Sequence, residues 1–493
     1  QTLHGLGFQR PSDICRVIRG WHFGRYRVTQ SAEARERLTE LTPALLKAFG
    51  QTRRADEALV RFDEFLAGLP AGIQLFSLLQ SNPALLKLMA TIMGAAPRLA
   101  VIITRRPHVF DGLLDPALLT ELPDRAYLSA RLSAFLEGDR AYEDVLDRLR
   151  IFASEQKFLI GVRLLAGSID PARAGRAFSD LADLTIAAAL EAVTAEFAVR
   201  HGTIAGGVVS LLGMGKLGSR ELTAGSDVDL ILLYDHDADA EDSDGDKPLA
   251  PSHYYSRMTQ RLISAVSAPT AEGVLYELDL RLRPSGNKGP VATHIDAFKK
   301  YQRQEAWTWE HMALSRARAI AGDDGLCGEV EAEVAAVLGQ SRDAAKVRAE
   351  ASEMRAMIEQ EKPARDPWDI KLIPGGLIDL EFIAQVAVIS GQVEAGPRAT
   401  GTAEILSRLT PRFANAAIRQ DLGDAYALYL ALTQMTRLCL TGPFERDDVP
   451  PGLSDLLLAV TDLPDFGVLE AHLKETSQKV RKDFDLLLRA GGS

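Results

Sequence analysis

The stretch Gly206–Asp235, GGVVSLLGMGKLGSRELTAGSDVDLILLYD, constrains the fold more than any other part of the chain. It reads as a strand, a glycine-rich turn, a short polar segment and a second strand. The second strand opens on Asp227 and Asp229, and because side chains alternate along a strand these two carboxylates face the same way. Leu230, Ile231, Leu232 and Leu233 follow without alternation, the pattern of a central strand covered on both faces. Two carboxylates side by side at the rim of a buried strand repel one another, and a divalent cation is the expected neutralising partner.

The same stretch imitates a dinucleotide site. Gly213-Met214-Gly215-Lys216-Leu217-Gly218 fits G-x-G-x-x-G, and Asp235 stands about where a ribose-binding acid falls. The spacing argues against that reading. A Rossmann crossover takes roughly a dozen residues or more, and Ser219–Ser226 leaves room for about two helical turns. No G-x-x-x-x-G-K-[ST] occurs, which excludes a P-loop.

A third carboxylate sits in Tyr276–Pro284, YELDLRLRP. Glu277, Asp279, Arg281 and Arg283 alternate with Tyr276, Leu278, Leu280 and Leu282, and this predicts a strand through the whole stretch. Alone, such a strand suits a solvated edge. Beside the D-x-D strand it suits a charged cleft in which carboxylates hold metal and arginines neutralise phosphate.

Leu217-Gly218-Ser219 followed by Asp227-Val228-Asp229-Leu230 resembles the signature of the DNA polymerase β-like nucleotidyltransferases. The phrases GMGKLGSREL, GSDVDLILLY, LDLRLRPSG and EAWTWEHMALSRAR resemble the glutamine synthetase adenylyltransferase family, as do FLAGLPAGIQLFSLLQSNPALL (Phe65–Leu86) and IPGGLIDLEFIAQ (Ile373–Gln385). Members of that family commonly carry two related nucleotidyltransferase copies, one attaching AMP to glutamine synthetase and one removing it; this chain holds one. The resemblance implies ATP as substrate, Mg2+ on Asp227, Asp229 and Asp279, and a tyrosine hydroxyl of glutamine synthetase as acceptor. Gly218, Ser219, Lys216, Arg281 and Arg283 are the implied nucleotide-binding residues. RLRPSG and WTWEH look like the adenylylating copy; phosphorolytic deadenylylation and a non-catalytic nucleotide- or signal-protein-binding regulator are the alternatives. The PII signal protein and glutamine are the implied regulators.

The rest of the chain fits this frame. Its 493 residues allow several domains, and the net charge of −11 is a poor fit for a nucleic-acid binder. No DNA or RNA partner is expected. The chain opens on Gln1 rather than Met and is expected to be a piece of a longer protein. No exported leader and no apolar run of about 18 residues is visible, so a cytoplasmic protein away from membranes is expected. Cys15, Cys327 and Cys439 are isolated, with no zinc spacing.

The expected class is α+β and mostly helical: a polymerase β-like nucleotidyltransferase mixed sheet flanked by helical regions. The expected division is a helical region over 1–120, a catalytic domain over 121–340 and a helical bundle over 345–493. Within it, Asn82-Pro83 reads as a cap and first turn, and Ile18–Tyr26 reads as packing. Leu181–Ala198 reads as a helix against the sheet, and Tyr255, Met258, Leu262 and Ala265 as one helix face. Trp307, His311, Leu314 and Arg318 are predicted to share a face of another helix, as core aromatics with an exposed arginine. Asp235–Lys247, DHDADAEDSDGDK, is acidic without the spacing of a calcium loop and reads as a solvated, mobile insertion, so that deleting part of Asp237–Asp246 is expected to change turnover little. Asp379 and Glu381 lie two apart on a predicted helix and so do not share a face. Magnesium-ATP binding is expected to survive removal of the chain beyond about residue 345.

Overall fold

The computed structural model describes residues 2–52, 54–107, 109, 124–138, 140–440, 442–446, 449 and 451–489. Helices dominate these residues and one five-stranded mixed sheet completes them, the α+β class expected. The chain divides into two compact units, residues 1–122, 155–174 and 431–470 in one and residues 123–154, 175–430 and 471–493 in the other.

The described part of the first unit is helical. Its opening helices include Pro11–His22, Ala32–Gly50, Ala55–Gly68, Ile73–Ser81, Pro83–Ala95 and Pro97–Arg105. Asn82 Oδ1 accepts from the Leu85 backbone N–H at 3.1 Å, and Pro83 occupies the first turn, where a missing N–H costs nothing. Phe49, Phe62, Phe65 and Phe76 are fully buried, each burial contributing roughly 1.5–3 kcal/mol. The Ile18–Tyr26 stretch packs as expected. The Trp21 indole and the Tyr26 hydroxyl donate to the two oxygens of Asp63 at 2.7 and 2.9 Å.

The sheet belongs to the second unit. Its strands are β1 (Val208–Met214), β2 (Val228–Asp235), β3 (Leu278–Asp279), β4 (Ala292–His294) and β5 (Arg318–Gly322). The order is β3-β2-β1-β5, with β4 also pairing β2. β1 runs antiparallel to β2 and β5, while β3 and β4 run parallel to β2. The antiparallel β1–β2 pair rules out the dinucleotide fold, because a Rossmann unit joins parallel strands. Leu230–Leu233 are buried in this central strand. Tyr255, Met258, Leu262 and Ala265 form the buried side of Pro251–Ser267, as their spacing predicts. Pro171–His201 meets the sheet through Asp183, whose carboxylate accepts from the guanidinium of Arg318 on β5 at 2.8 and 3.0 Å.

Three sequence expectations fail here, each for a local reason. The strand predicted over Tyr276–Pro284 shrinks to Leu278–Asp279. Arg283 N–H bonds to Leu280 O and Gly286 N–H to Arg283 O, and Ser285 takes a left-handed conformation, so the alternating pattern is spent in a turn. Trp307, His311, Leu314 and Arg318 do not share a helix. Trp307 is the N-cap of Thr308–Leu314 and is 70% exposed, while Arg318 begins β5 and is partly buried. Ser315, Arg316 and Ala317 tighten into a turn whose N–H groups bond to Met312, Ala313 and Leu314, which ends the helix and lets Arg318 pair with Gly213. Asp235–Lys247 is largely exposed, as its composition predicts, but it is fastened and not a free tether. Asp244 Oδ1 accepts from Thr203 N–H at 2.6 Å, Gly245 and Lys247 N–H bond to His201 and Arg200 carbonyls, and Ser243 is buried.

Candidate active site

The register of the sheet assembles the acidic residues. Met214, the last residue of β1, lies opposite Asp229, and β3 places Asp279 beside Asp229 on the other side. Asp227, just ahead of β2, is exposed, and strand alternation turns it to the face that Asp229 shares. The chain leaves β1 through Gly215 at φ +52°, and a Cβ there would overlap Asp229 Oδ2. Only glycine lets the backbone turn over the carboxylate at that point. Burial, then the charges of Asp227 and Asp279, push the Asp229 carboxyl up to about 6, against the opposing pull of Arg316 and Lys371.

Asp279 behaves differently. Its carboxylate accepts from the Arg281 backbone N–H at 2.8 Å and from Arg281 Nε at 2.8 and 3.0 Å, with a further ion pair to Nη2. These hydrogen bonds hold it below the usual carboxylate range. The register thus gathers Asp227, Asp229 and Asp279, while Asp279 faces its own arginine. Among the described residues no three His, Cys, Asp or Glu side chains enclose a metal-sized space. The donor chemistry is nonetheless of the kind magnesium takes, hard carboxylate oxygens, of which Asp279 is already ion-paired with Arg281.

The glycine turn is braced by two arginines from the segment between Leu314 and β5. Arg318 donates to the carbonyls of Leu217 (3.1 Å) and Gly218 (3.4 Å) while gripping the fully buried Asp183. Arg316 Nη2 donates to Ser219 Oγ at 2.9 Å and Glu221 Oε2 at 3.0 Å, and its Nη1 pairs with Glu381 Oε1 at 3.0 Å. Ser219 Oγ in turn donates to Lys216 O at 3.4 Å, so this hydroxyl faces inward. A Cβ on Gly218 would overlap the Arg316 carbonyl, so close internal packing requires this glycine. Glu221 also accepts from Thr402 N–H (2.6 Å) and Oγ1 (3.1 Å). Burial alone would raise the Glu381 carboxyl; Arg316, Lys216 and Lys371 outweigh it and hold the carboxyl low. Arg316 Nε has no hydrogen-bond partner among the described residues.

The remaining expected cations divide. Arg281 is exposed beside Asp279. Arg283 is buried and donates to the carbonyls of Leu280 (2.8 Å) and Gly289 (3.4 Å), which braces its own loop. Asp379 and Glu381 serve separate networks, as their spacing predicts. Asp379 pairs with the buried Arg355 and with Arg481, Glu381 with Arg316. Sequence reasoning missed Gly215, Glu221, Arg316, Lys371 and Glu381. The one local signal was Arg316 and Arg318 standing two apart at the mouth of an apolar strand.

Residues 86–333 match the family profile described as glutamate-ammonia ligase adenylyltransferase, a span that includes the whole sheet. The chain belongs to this family. It is 94% identical over 491 residues to the bifunctional glutamine synthetase adenylyltransferase/adenylyl-removing enzyme of Mesorhizobium japonicum, a match covering 100% of this chain and 50% of that relative. The Brucella melitensis enzyme of the same name is 64% identical over 100% of this chain and 50% of its own length. The Rhizobium meliloti enzyme is 59% identical over 99% and 50%. The chain therefore spans about half the length of the family members it matches. Among its described residues no single helix is long and apolar enough to cross a membrane.

Proposed function

We propose that this chain is an adenylylating unit, which moves AMP from ATP to a tyrosine hydroxyl of glutamine synthetase and releases pyrophosphate. The observation that carries the reading is the register of Asp229 with Asp279, next to Asp227 and under the turn at Gly215. Asp227, Asp229 and Asp279 would hold magnesium, which when bound supplies charge neutralisation at the α-phosphate and favours the ionised acceptor oxygen. A tyrosine hydroxyl ordinarily titrates near 10, so its attack at neutral pH needs such help. Lys216 and Arg281 are the proposed nucleotide contacts, and Gly218 and Ser219 are proposed with them through the turn they shape, since the Ser219 hydroxyl faces inward and Gly218 packs against the Arg316 carbonyl. Arg283 is proposed with them through the loop it braces, since its own guanidinium is turned to carbonyls.

On this reading the catalytic part is residues 121–340, preceded in sequence by helical region 1–120 and followed by helical region 345–493, and the later region reaches the site through Glu381 and Thr402. The setting is cytoplasmic, and PII protein and glutamine are the proposed regulators. Phosphorolytic removal of AMP is the second reading, because the relatives' names carry both activities. Incubation with labelled ATP, magnesium and unmodified glutamine synthetase tests the proposal. Label on glutamine synthetase with equimolar pyrophosphate supports it. No label there, with ADP formed from adenylylated glutamine synthetase and phosphate, establishes the reverse activity instead. Binding of ATP with neither product would leave a non-catalytic regulator.

A further inference from the structure

The loop ahead of the helix Leu377–Ile389 is fastened on every side. Leu377 and Ile378 N–H bond to the carbonyls of Ile370 (2.9 Å) and Lys371 (3.4 Å), and Leu372 N–H bonds to Asp369 O at 2.8 Å. Buried Arg355 donates to the carbonyls of Leu372 and Ile373 at 3.1 and 3.2 Å. Gly375 N–H donates to Asp379 Oδ2 at 2.7 Å and its carbonyl accepts from the Tyr429 hydroxyl at 2.8 Å. Gly375 sits at φ +78°, where a Cβ would overlap Ser477 O. So much anchoring serves the backbone, yet the side chain it presents is unused. Lys371 is exposed, and among the described residues its ammonium makes no hydrogen bond and no ion pair.

The loop that carries this lysine is linked to the candidate site. Its carbonyl is bonded to Ile378, one turn before Glu381 on the same helix. Glu381 pairs with Arg316, Arg316 donates to Ser219, and Ser219 N–H bonds to the carbonyl of Gly215, which covers Asp229. The charge of Lys371 is felt by both Asp229 and Glu381. Arg281 pairs with Asp279 in this state and Arg283 donates to carbonyls, whereas Lys371 is paired with nothing among the described residues. A solvated ammonium without a partner among the described residues, carried on a fastened loop and near enough for Asp229 to feel its charge, suits an anion that arrives with its own counter-cation. A polyphosphate chain carrying magnesium has that chemistry.

We propose that Lys371 is a binding residue for the polyphosphate of the nucleotide, presented to the acidic strand by the loop that Arg355 and Asp379 hold. The proposal rests on the nucleotide reading above and deepens it. The test is calorimetric titration of the full chain with magnesium salts of ATP, AMP and inorganic tripolyphosphate, comparing wild type, Lys371→Ala and Lys371→Arg. Loss of one charge-assisted phosphate contact is expected to weaken ATP and tripolyphosphate roughly tenfold in Lys371→Ala, to leave AMP within about twofold, and to be largely restored in Lys371→Arg. Circular dichroism should be unchanged, since the side chain is exposed. Unchanged ATP and tripolyphosphate affinities in Lys371→Ala, or equal weakening of ATP and AMP, overturn the proposal. Wild type that binds tripolyphosphate through Lys371 but not ATP would keep the anion site and sink the adenylyl reading. Wild type that binds neither sinks both.

Discussion

Replacing Arg316 by methionine removes the centre of the buried network while keeping an unbranched apolar stem. Glu221 and Glu381 lose ion pairs of 3.0 Å each, and Ser219 Oγ loses its donor at 2.9 Å. The arginine side chain is 7% exposed, and its partners are 12% and 18% exposed, so water cannot fully replace it. Breaking a buried pair from one side costs about 3–5 kcal/mol. A loss in that range is expected from urea unfolding at pH 7.5. The pH dependence gives the sharper reading. In wild type the Glu381 carboxyl lies below its usual range, so the stability it contributes is present above the unfolded pKa and fades as pH falls through the lower folded value. In Arg316→Met burial dominates and raises that carboxyl, so the penalty of the buried charge is full at neutral pH and is relieved as acid protonates it. The stability gap between the two proteins should therefore be widest near pH 7.5 and narrow below about pH 5. A loss below about 1 kcal/mol at pH 7.5, or a gap that widens on acidification, would refute the account of this network.

Asp229→Asn should lower AMP transfer at least about a hundredfold, measured with labelled ATP. In EDTA the same variant should be more stable than wild type at pH 8, by up to about 3 kcal/mol for a carboxyl raised to about 6, and the gain should vanish near pH 4, where the wild-type carboxyl is protonated. Deleting Asp237–Asp246 should lower the thermal midpoint by several degrees, because it removes the Asp244 cap on Thr203 and the buried Ser243; an unchanged melting curve would return this segment to the status of a free loop. Truncation after about residue 345 should abolish ATP binding in calorimetry, because Lys371, Glu381 and Thr402 leave with it, and retained affinity would count against their role.

What could be read in advance was what is close in sequence. The buried run Leu230–Leu233 and the paired Asp227 and Asp229 announce a central strand with an acidic mouth, because period and polarity are properties of neighbours. The helix face of Tyr255, Met258, Leu262 and Ala265 was legible for the same reason. The alternation of Tyr276–Pro284 misled because Pro284 and the left-handed Ser285 bend the chain before the pattern can be used. The acidic composition of Asp235–Lys247 suggested solvation, yet one well-placed carboxylate at Asp244 fastens it. Most invisible were the cations. Nothing near Ser219 in sequence signals that Arg316 will hold its hydroxyl, or that Glu221 and Glu381 will flank that arginine.

That division between near and far has a consequence for how the protein is made. β1 and β2 are joined through residues 215–227 alone, so the acidic mouth belongs to a hairpin with little chain to close. The contact that braces its turn spans 97 residues from Arg316 to Ser219, and the bond from Thr402 to Glu221 spans 181. On a ribosome that adds about 5–20 residues each second, the carboxylates emerge many seconds before the groups that offset them. The hairpin must wait with its charges exposed to water, and it can settle only once the distant arginine and the helix bearing Glu381 have been synthesised. The nascent chain thus carries the acidic half of its site unbraced while the 97 residues from Ser219 to Arg316 are added.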